Sequence, residues 1–148
     1  MLDAESLSRA IAGSTYVVHT ASPFYFPANE DDVVKPAVEG TIAVLKACSA
    51  SNVKRLVITS SCAAVVCMAA EDKPDLETGF YDESCWSNPD RKEGLGGYVK
   101  SKTLAERAAW DYQKSLPEDQ RFEIVTVNPC FVMGPTLVEG SSTSSDYV

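Results

Sequence analysis

An α/β fold with a parallel sheet is expected, and two features of the sequence predict it. Helical patterns alternate with short apolar runs in the order helix, strand, helix, strand, long loop, helix, strand. Alternation of this kind implies crossovers that return each strand beside the last one in the same direction. The runs at 55–59 and 122–127 are also apolar on both faces, as parallel strands covered on both sides are.

Each element has a local reason. Residues 3–12 read as a short helix with Ala4, Leu7, Ala10 and Ile11 on one side, stopped by Gly13 and Ser14. Tyr16, Val17 and Val18 read as a short buried strand, and Ser22, Pro23 and Pro27 mark the loop after it. A helix then opens in Asn29, Glu30, Asp31 and Asp32, whose carboxylates suit a helix N-terminus. Proline is tolerated near a first turn, so Pro36 puts the regular helix after about Val34. Val34, Val38, Thr41, Leu45 and Cys48 recur at helical spacing, with Gly40 as a close-packing position.

Arg55, Leu56, Val57, Ile58 and Thr59 form the next strand, ending in Ser60 and Ser61. Residues 66–97 lack periodicity, and a loop of that length is usually functional or mobile. The spacing predicts a helix over 98–116 with Leu104, Ala105, Ala108, Ala109 and Tyr112 inward, ended by Pro117. Residues 122–127 are the last strand, closed by Asn128 and Pro129. The small polar residues from Gly140 onward read as a linker or frayed end.

Composition narrows the function classes. The 148 residues are one domain's worth, 45% apolar and 23% charged, as in ordinary globular proteins. Net charge is −8 and no basic cluster exceeds two residues, so no nucleic-acid partner is expected. No window approaches the ~18 uninterrupted apolar residues of a membrane span, and the first residues do not form a secretory signal. The five cysteines include no C-x-x-C pair and His19 is the sole histidine, so no metal site is expected. Reduced thiols in the cytoplasm are the simplest account of them.

The chemistry converges on one end of the sheet. Ligands of parallel α/β sheets bind beyond the carboxyl ends of the strands. The stretch His19 to Pro23, the pair Ser60 and Ser61, and Asn128 with Pro129 all fall there. Tyr98 and Lys102 are four residues apart, on one face of a helix. A nearby ammonium favours the phenolate and should lower a phenol pKa from its usual value of about 10. The pair can then exchange a proton at a carbonyl or alcohol oxygen that a serine hydroxyl holds. A Tyr-x-x-x-Lys spacing alone is common by chance; its placement beside the strand-end serines gives it weight.

Several ordered stretches carry a family resemblance. They are Val17-Val18-His19-Thr20-Ala21-Ser22-Pro23, Lys35-Pro36-Ala37-Val38-Glu39-Gly40-Thr41, Lys54-Arg55-Leu56-Val57-Ile58-Thr59-Ser60-Ser61, Tyr81-Asp82-Glu83-Ser84-Cys85-Trp86, Tyr98-Val99-Lys100-Ser101-Lys102-Thr103-Leu104-Ala105-Glu106, and Asn128-Pro129 through Gly134-Pro135. The set resembles the extended short-chain dehydrogenase/reductases, in the group of dihydroflavonol reductase, cinnamoyl-CoA reductase and methylglyoxal reductase.

The resemblance implies an NAD(P)-dependent oxidoreductase that reduces a small-molecule ketone or aldehyde to an alcohol. Tyr98 would be the general acid, Lys102 would lower its pKa and hold the nicotinamide ribose, and Ser61 (Ser60 less so) would hold the substrate carbonyl. Thr20, Ala21 and Ser22 would line the cofactor path. Thr59 and the stretch Pro129, Cys130, Phe131 and Val132 would border the nicotinamide of NADPH, or of NADH. Cys62 and Ala63 stand where related dehydratases carry acidic residues, so reduction fits better than water loss; an epimerase is a weaker alternative.

The resemblance also implies that 1–148 is the central and C-terminal part of a doubly wound, Rossmann-type domain. Its first strands and its glycine-rich phosphate-binding turn are not in the sequence. The strand at Tyr16 would then have a bare edge. A catalytically silent shortened chain, or an interaction module, is the alternative reading. His19 is expected to set loop geometry and Cys62 to be a small packing residue. Trp86 is read two ways, as a pocket floor or as an anchor for its loop. Glu106 and Arg107 share the helix of Lys102 without an assigned role.

Overall fold

The computed structural model describes residues 3–25, 28–66, 79–90, 96–132 and 134. The expectations for the segment around Pro74 and for the tail from Gly140 lie outside the described residues. Among the described residues, three helices, three strands and two short 3-10 turns follow one another: α1 (Ala4–Ile11), β1 (Tyr16–His19), α2 (Asp31–Ala50), β2 (Arg55–Thr59), a turn at Cys62–Ala64, α3 (Gly96–Ser115), a turn at Glu118–Gln120, and β3 (Glu123–Val127).

The sheet is parallel in the order β1-β2-β3. Its register sets Val17 beside Leu56 and Leu56 beside Ile124. This is the expected Rossmann-type α/β arrangement, here a three-stranded part of it. One core fills the helical side: Val44, Leu45 and Cys48 of α2, Ala109 of α3, Leu56 and Ile58 of β2, and Phe122 and Ile124 at β3. The other side of the sheet differs from the expectation of strands covered on both faces. Val57 and Val125 are half-buried, and Tyr16 and Val18 are 66% and 65% exposed. β1 is therefore an edge strand with one bare face, rather than a buried strand.

The helices correct the sequence reading in detail. Asp3 caps α1, its carboxylate accepting from the amides of Glu5 and Ser6 at 3.1 Å each, an arrangement worth about 1 kcal/mol. Only Ile11 of α1 is buried, with Leu7 half-buried; Ala4 and Ala10 face solvent. α2 starts at Asp31, so Pro36 sits inside it. Proline has no N–H to give the carbonyl four residues back, which leaves the Asp32 oxygen free. The Tyr25 hydroxyl fills the gap, donating to that oxygen at 2.9 Å. The buried stripe of α2 is Val33, Ala37, Gly40, Thr41, Val44, Leu45, Ala47 and Cys48, whereas Val34 and Val38 are half-buried.

α2 closes with Asn52 in the left-handed region (φ 54°), and the Val53 amide reaches back to the Cys48 carbonyl at 3.2 Å. That is a Schellman closure with asparagine in the usual glycine position. On α3 the inward face is unexpectedly polar. Val99, Ala105 and Ala109 are buried, but so are Ser101, Lys102, Thr103 and Glu106, while Leu104, Ala108 and Tyr112 are half-buried. Ser101 and Thr103 satisfy their hydroxyls on the carbonyls of Tyr98 and Val99, each at 2.8 Å.

Candidate active site

The predicted site residues gather at the carboxyl ends of the strands. Parallel pairing puts the ends of β1, β2 and β3 level, with His19 beside Ile58 and Thr59 beside Val127. Ser60 and Ser61 leave β2 buried. Ser61 caps the turn at Cys62–Ala64, its hydroxyl oxygen accepting from the Ala63 amide at 3.1 Å.

Tyr98 occupies the first turn of α3. Gly97 allows that approach to α2, because a Cβ there would meet the Glu30 side chain at 3.3 Å. The nearby Lys100 ammonium pairs with Glu30 at 3.2 Å. The Phe24 ring lies 4.9 Å from the Tyr98 ring, and the Lys102 ammonium 5.7 Å from its centroid.

The electrostatics run opposite to one expectation. Burial raises the Tyr98 phenol above its ordinary value; the neighbouring Ser61 hydroxyl pulls it down and the Cys62 thiol adds to the rise. Burial likewise lowers the pKa of Lys102. The Lys102 residue is buried, and no acceptor among the described residues pairs with its ammonium. An ammonium with free N–H donors at this place fits a bound molecule that brings hydroxyl oxygens.

The other predicted positions line the same end. Thr20 and Ala21 are exposed, Ser22 and Thr59 half-buried, Pro129 half-buried, and Phe131 and Val132 are 56% and 66% exposed. Their openness suits a binding surface of small side chains and apolar edges. His19 is buried. Its Nε2 is 3.4 Å from the Thr41 hydroxyl, tying the end of β1 to α2. Burial, and then the charge of Lys102, lower its pKa. The Trp86 ring stacks on the Arg107 guanidinium of α3 at 5.0 Å, and the Ser87 amide donates to the Ala64 carbonyl at 2.9 Å.

Sequence reasoning missed the role of Glu106. Its buried carboxylate accepts from the Ser60 hydroxyl at 2.5 Å, the Asn128 amide at 2.9 Å and the Trp110 indole at 3.4 Å. Asn128 also donates to the Ser61 carbonyl at 3.1 Å. One carboxylate on α3 thus fixes the ends of β2 and β3 against the helix that carries Tyr98 and Lys102. The available signal was its position, one helical turn beyond Lys102 on the same face.

A separate depression of ≈ 490 Å³ lies among Cys48, Asn52, Lys54, Arg121 and Glu123, at the amino ends of the strands. It contains none of the predicted site residues. Among the described residues no helix is long and apolar enough to cross a membrane, and no group of three metal-ligating side chains occurs.

Comparison with known proteins identifies the family. The model of the 3-beta hydroxysteroid dehydrogenase/isomerase family matches residues 1–143. Anthocyanidin reductase of Vitis vinifera is 38% identical over 154 residues, covering 99% of this chain and 41% of the relative. Cinnamoyl-CoA reductase 1 of Petunia hybrida is 41% identical over 138 residues, covering 93% and 38%. The crystal structure of yeast methylglyoxal/isovaleraldehyde reductase Gre2 complexed with NADPH matches with a TM-score of 0.76 at 34% identity, over 93% of this chain and 43% of that one. The chain spans about two-fifths of the length of these relatives. Because the family match runs across all three strand ends and the helix of Tyr98 and Lys102, the chain belongs to the 3-beta hydroxysteroid dehydrogenase/isomerase family.

Proposed function

We propose that this chain is the catalytic part of an NADPH-dependent reductase that converts a small ketone or aldehyde to an alcohol. The observation that carries the reading is the meeting of a serine hydroxyl, a phenol and the ammonium of a buried lysine at one end of a parallel sheet. Relatives named as reductases, one of them complexed with NADPH, support it.

When bound, NADPH supplies the hydride. Tyr98 gives its proton to the carbonyl oxygen as that oxygen gains charge. A pKa held above the usual phenol value keeps that proton in place at neutral pH. Ser61 donates a hydrogen bond to the same oxygen and orients it. Lys102 offers N–H donors to the ribose hydroxyls, and its charge stabilises the phenolate left behind. Thr20, Ala21 and Ser22 admit the cofactor past β1, and Thr59, Pro129, Phe131 and Val132 flank its nicotinamide. NADH in place of NADPH would use the same residues. The protein expressed from its complete coding sequence tests the reading: Tyr98→Phe should abolish carbonyl-dependent NADPH oxidation while leaving NADPH binding near that of the parent. Unchanged turnover would remove Tyr98 as the acid.

A second reading is that the 148 residues by themselves are catalytically silent. It is favoured by one observation: the sequence contains no G-x-x-G-x-x-G motif to bind a pyrophosphate at a helix N-terminus. Calorimetric titration of the 148-residue chain with NADPH separates the two, since micromolar binding counts against silence.

A further inference from the structure

Two cysteines meet where the sheet passes into the site. The β2–β3 ladder continues beyond the strands proper: the Ser60 amide donates to the Val127 carbonyl at 2.8 Å, and the Cys62 amide to the Pro129 carbonyl at 3.0 Å. Ser61 between them is fully extended, at φ −164° and ψ 151°. In a parallel ladder an amide bonds the carbonyl of the residue before its partner. The partner of Ser60 is therefore Asn128, and the partner of Cys62 is Cys130.

Paired residues of neighbouring strands lie about 4.8 Å apart, inside the roughly 4.4–6.8 Å between Cα atoms that a disulfide spans. Both thiols are free. Cys130 is exposed and Cys62 half-buried behind it. Burial first, and then the Cys130 thiol, push the Cys62 thiol up in pKa. An oxidant therefore meets Cys130 first.

We propose that Cys62 and Cys130 are a reversible redox pair, whose disulfide staples the Ser61 turn to the end of β3 and switches the site off. A hydroperoxide is the oxidant. The Cys130 sulfur attacks the peroxide, the O–O bond breaks, and Cys130 becomes a sulfenic acid as the first water or alcohol leaves. The Cys62 sulfur displaces the sulfenic hydroxyl, the S–S bond forms, the S–O bond breaks, and a second water leaves. Two thiols lose two electrons and two hydrogens, and the peroxide takes both. A dithiol reductant returns the pair by exchange.

The consequence for activity rests on the reductase reading, because Ser61 adjoins Cys62 and Pro129 adjoins Cys130. Drawing the sulfurs into a bond moves the turn that Ser61 caps, and a displacement of about 1 Å in a catalytic group can cost about a hundredfold in rate.

The experiment treats the protein expressed from its complete coding sequence with hydrogen peroxide, blocks remaining thiols, and digests without reduction. Trypsin leaves Cys62 with Cys67 and Cys85 in the peptide 56–91, since Pro74 shields Lys73, and Cys130 in the peptide that begins at Phe122. Mass spectrometry should find these two peptides joined, lighter by two hydrogens than their sum. The link should vanish with dithiothreitol and be absent from Cys62→Ser. Carbonyl-dependent NADPH oxidation should fall about tenfold or more on oxidation and return on reduction.

Peptides that stay separate, or a link that survives in Cys62→Ser, overturn the pair. A link that leaves turnover unchanged overturns the switch. A link in a protein that never oxidises NADPH, even reduced, supports the pair and refutes the reductase reading instead.

Discussion

At the amino ends of β2 and β3, Arg55 and Glu123 meet at 2.7 Å with about half of each side chain in water. At the carboxyl ends of the same two strands, Ser60 and Asn128 converge on the buried carboxylate of Glu106 at 2.5 and 2.9 Å. Both contacts involve a carboxylate at an end of β2 and β3, the second supplied by α3, and they differ in dielectric. A solvated pair is screened and adds little. A buried carboxylate must have donors, and removing either side leaves a polar group with nothing to replace water. The lesson is where this fold concentrates its buried polar groups. His19, Ser60, Ser61, Lys102 and Glu106 all lie at the carboxyl end, and that end carries the proposed chemistry.

The largest expected effect breaks the comparison at the reacting atom. In the protein expressed from its complete coding sequence, Tyr98→Phe removes the proton donor, and kcat should fall by about 10² to 10⁴. Steady-state kinetics checks this, with a KM for NADPH near that of the parent. Next comes the supporting carboxylate. Glu106→Ala strands the Ser60 hydroxyl and the Asn128 amide, and should cost about 2 kcal/mol in urea unfolding. Glu106→Gln keeps an acceptor and should recover part of that loss.

A smaller effect is read in pH. The folded pKa of His19 lies below its ordinary 6.5, so between the two values the unfolded chain binds more protons than the folded one. Stability from this residue is full above about 6.5 and is lost as pH falls toward the lowered value. The urea midpoint should therefore decline from pH 7 to pH 5, less steeply in His19→Gln. The smallest effect is at the other end: Arg55→Ala should leave the urea midpoint where it was. A loss there comparable to that of Glu106→Ala would refute the contrast between the two ends.

Much of this was legible before any coordinates. Leu56 and Ile58 announce a buried strand through apolar content, and the spacing of Thr41, Leu45 and Cys48 announces a helix face. Tyr98 and Lys102 share a helix face by arithmetic, and the order of the motifs brought the strand-end serines beside them. Pro36 misled because the group that relieves it, the Tyr25 hydroxyl, lies in a loop eleven residues earlier, and its reach depends on how that loop folds. The Tyr98 shift also ran against expectation. The charge of Lys102 can be counted in a sequence, but the desolvation that raises the phenol depends on what packs around the ring. Glu106 looked like any helical surface acid until the ends of β2 and β3 closed over it.

The sequence by itself determined the element types, the parallel α/β class and the end of the sheet where chemistry can occur, because periodicity and strand order follow from local geometry and chain connectivity. Tertiary structure alone decided which polar groups lose water, which face of the sheet stays bare, and that Cys62 stands opposite Cys130. Burial and register join residues far apart in the chain, and their energies exist only once those residues meet.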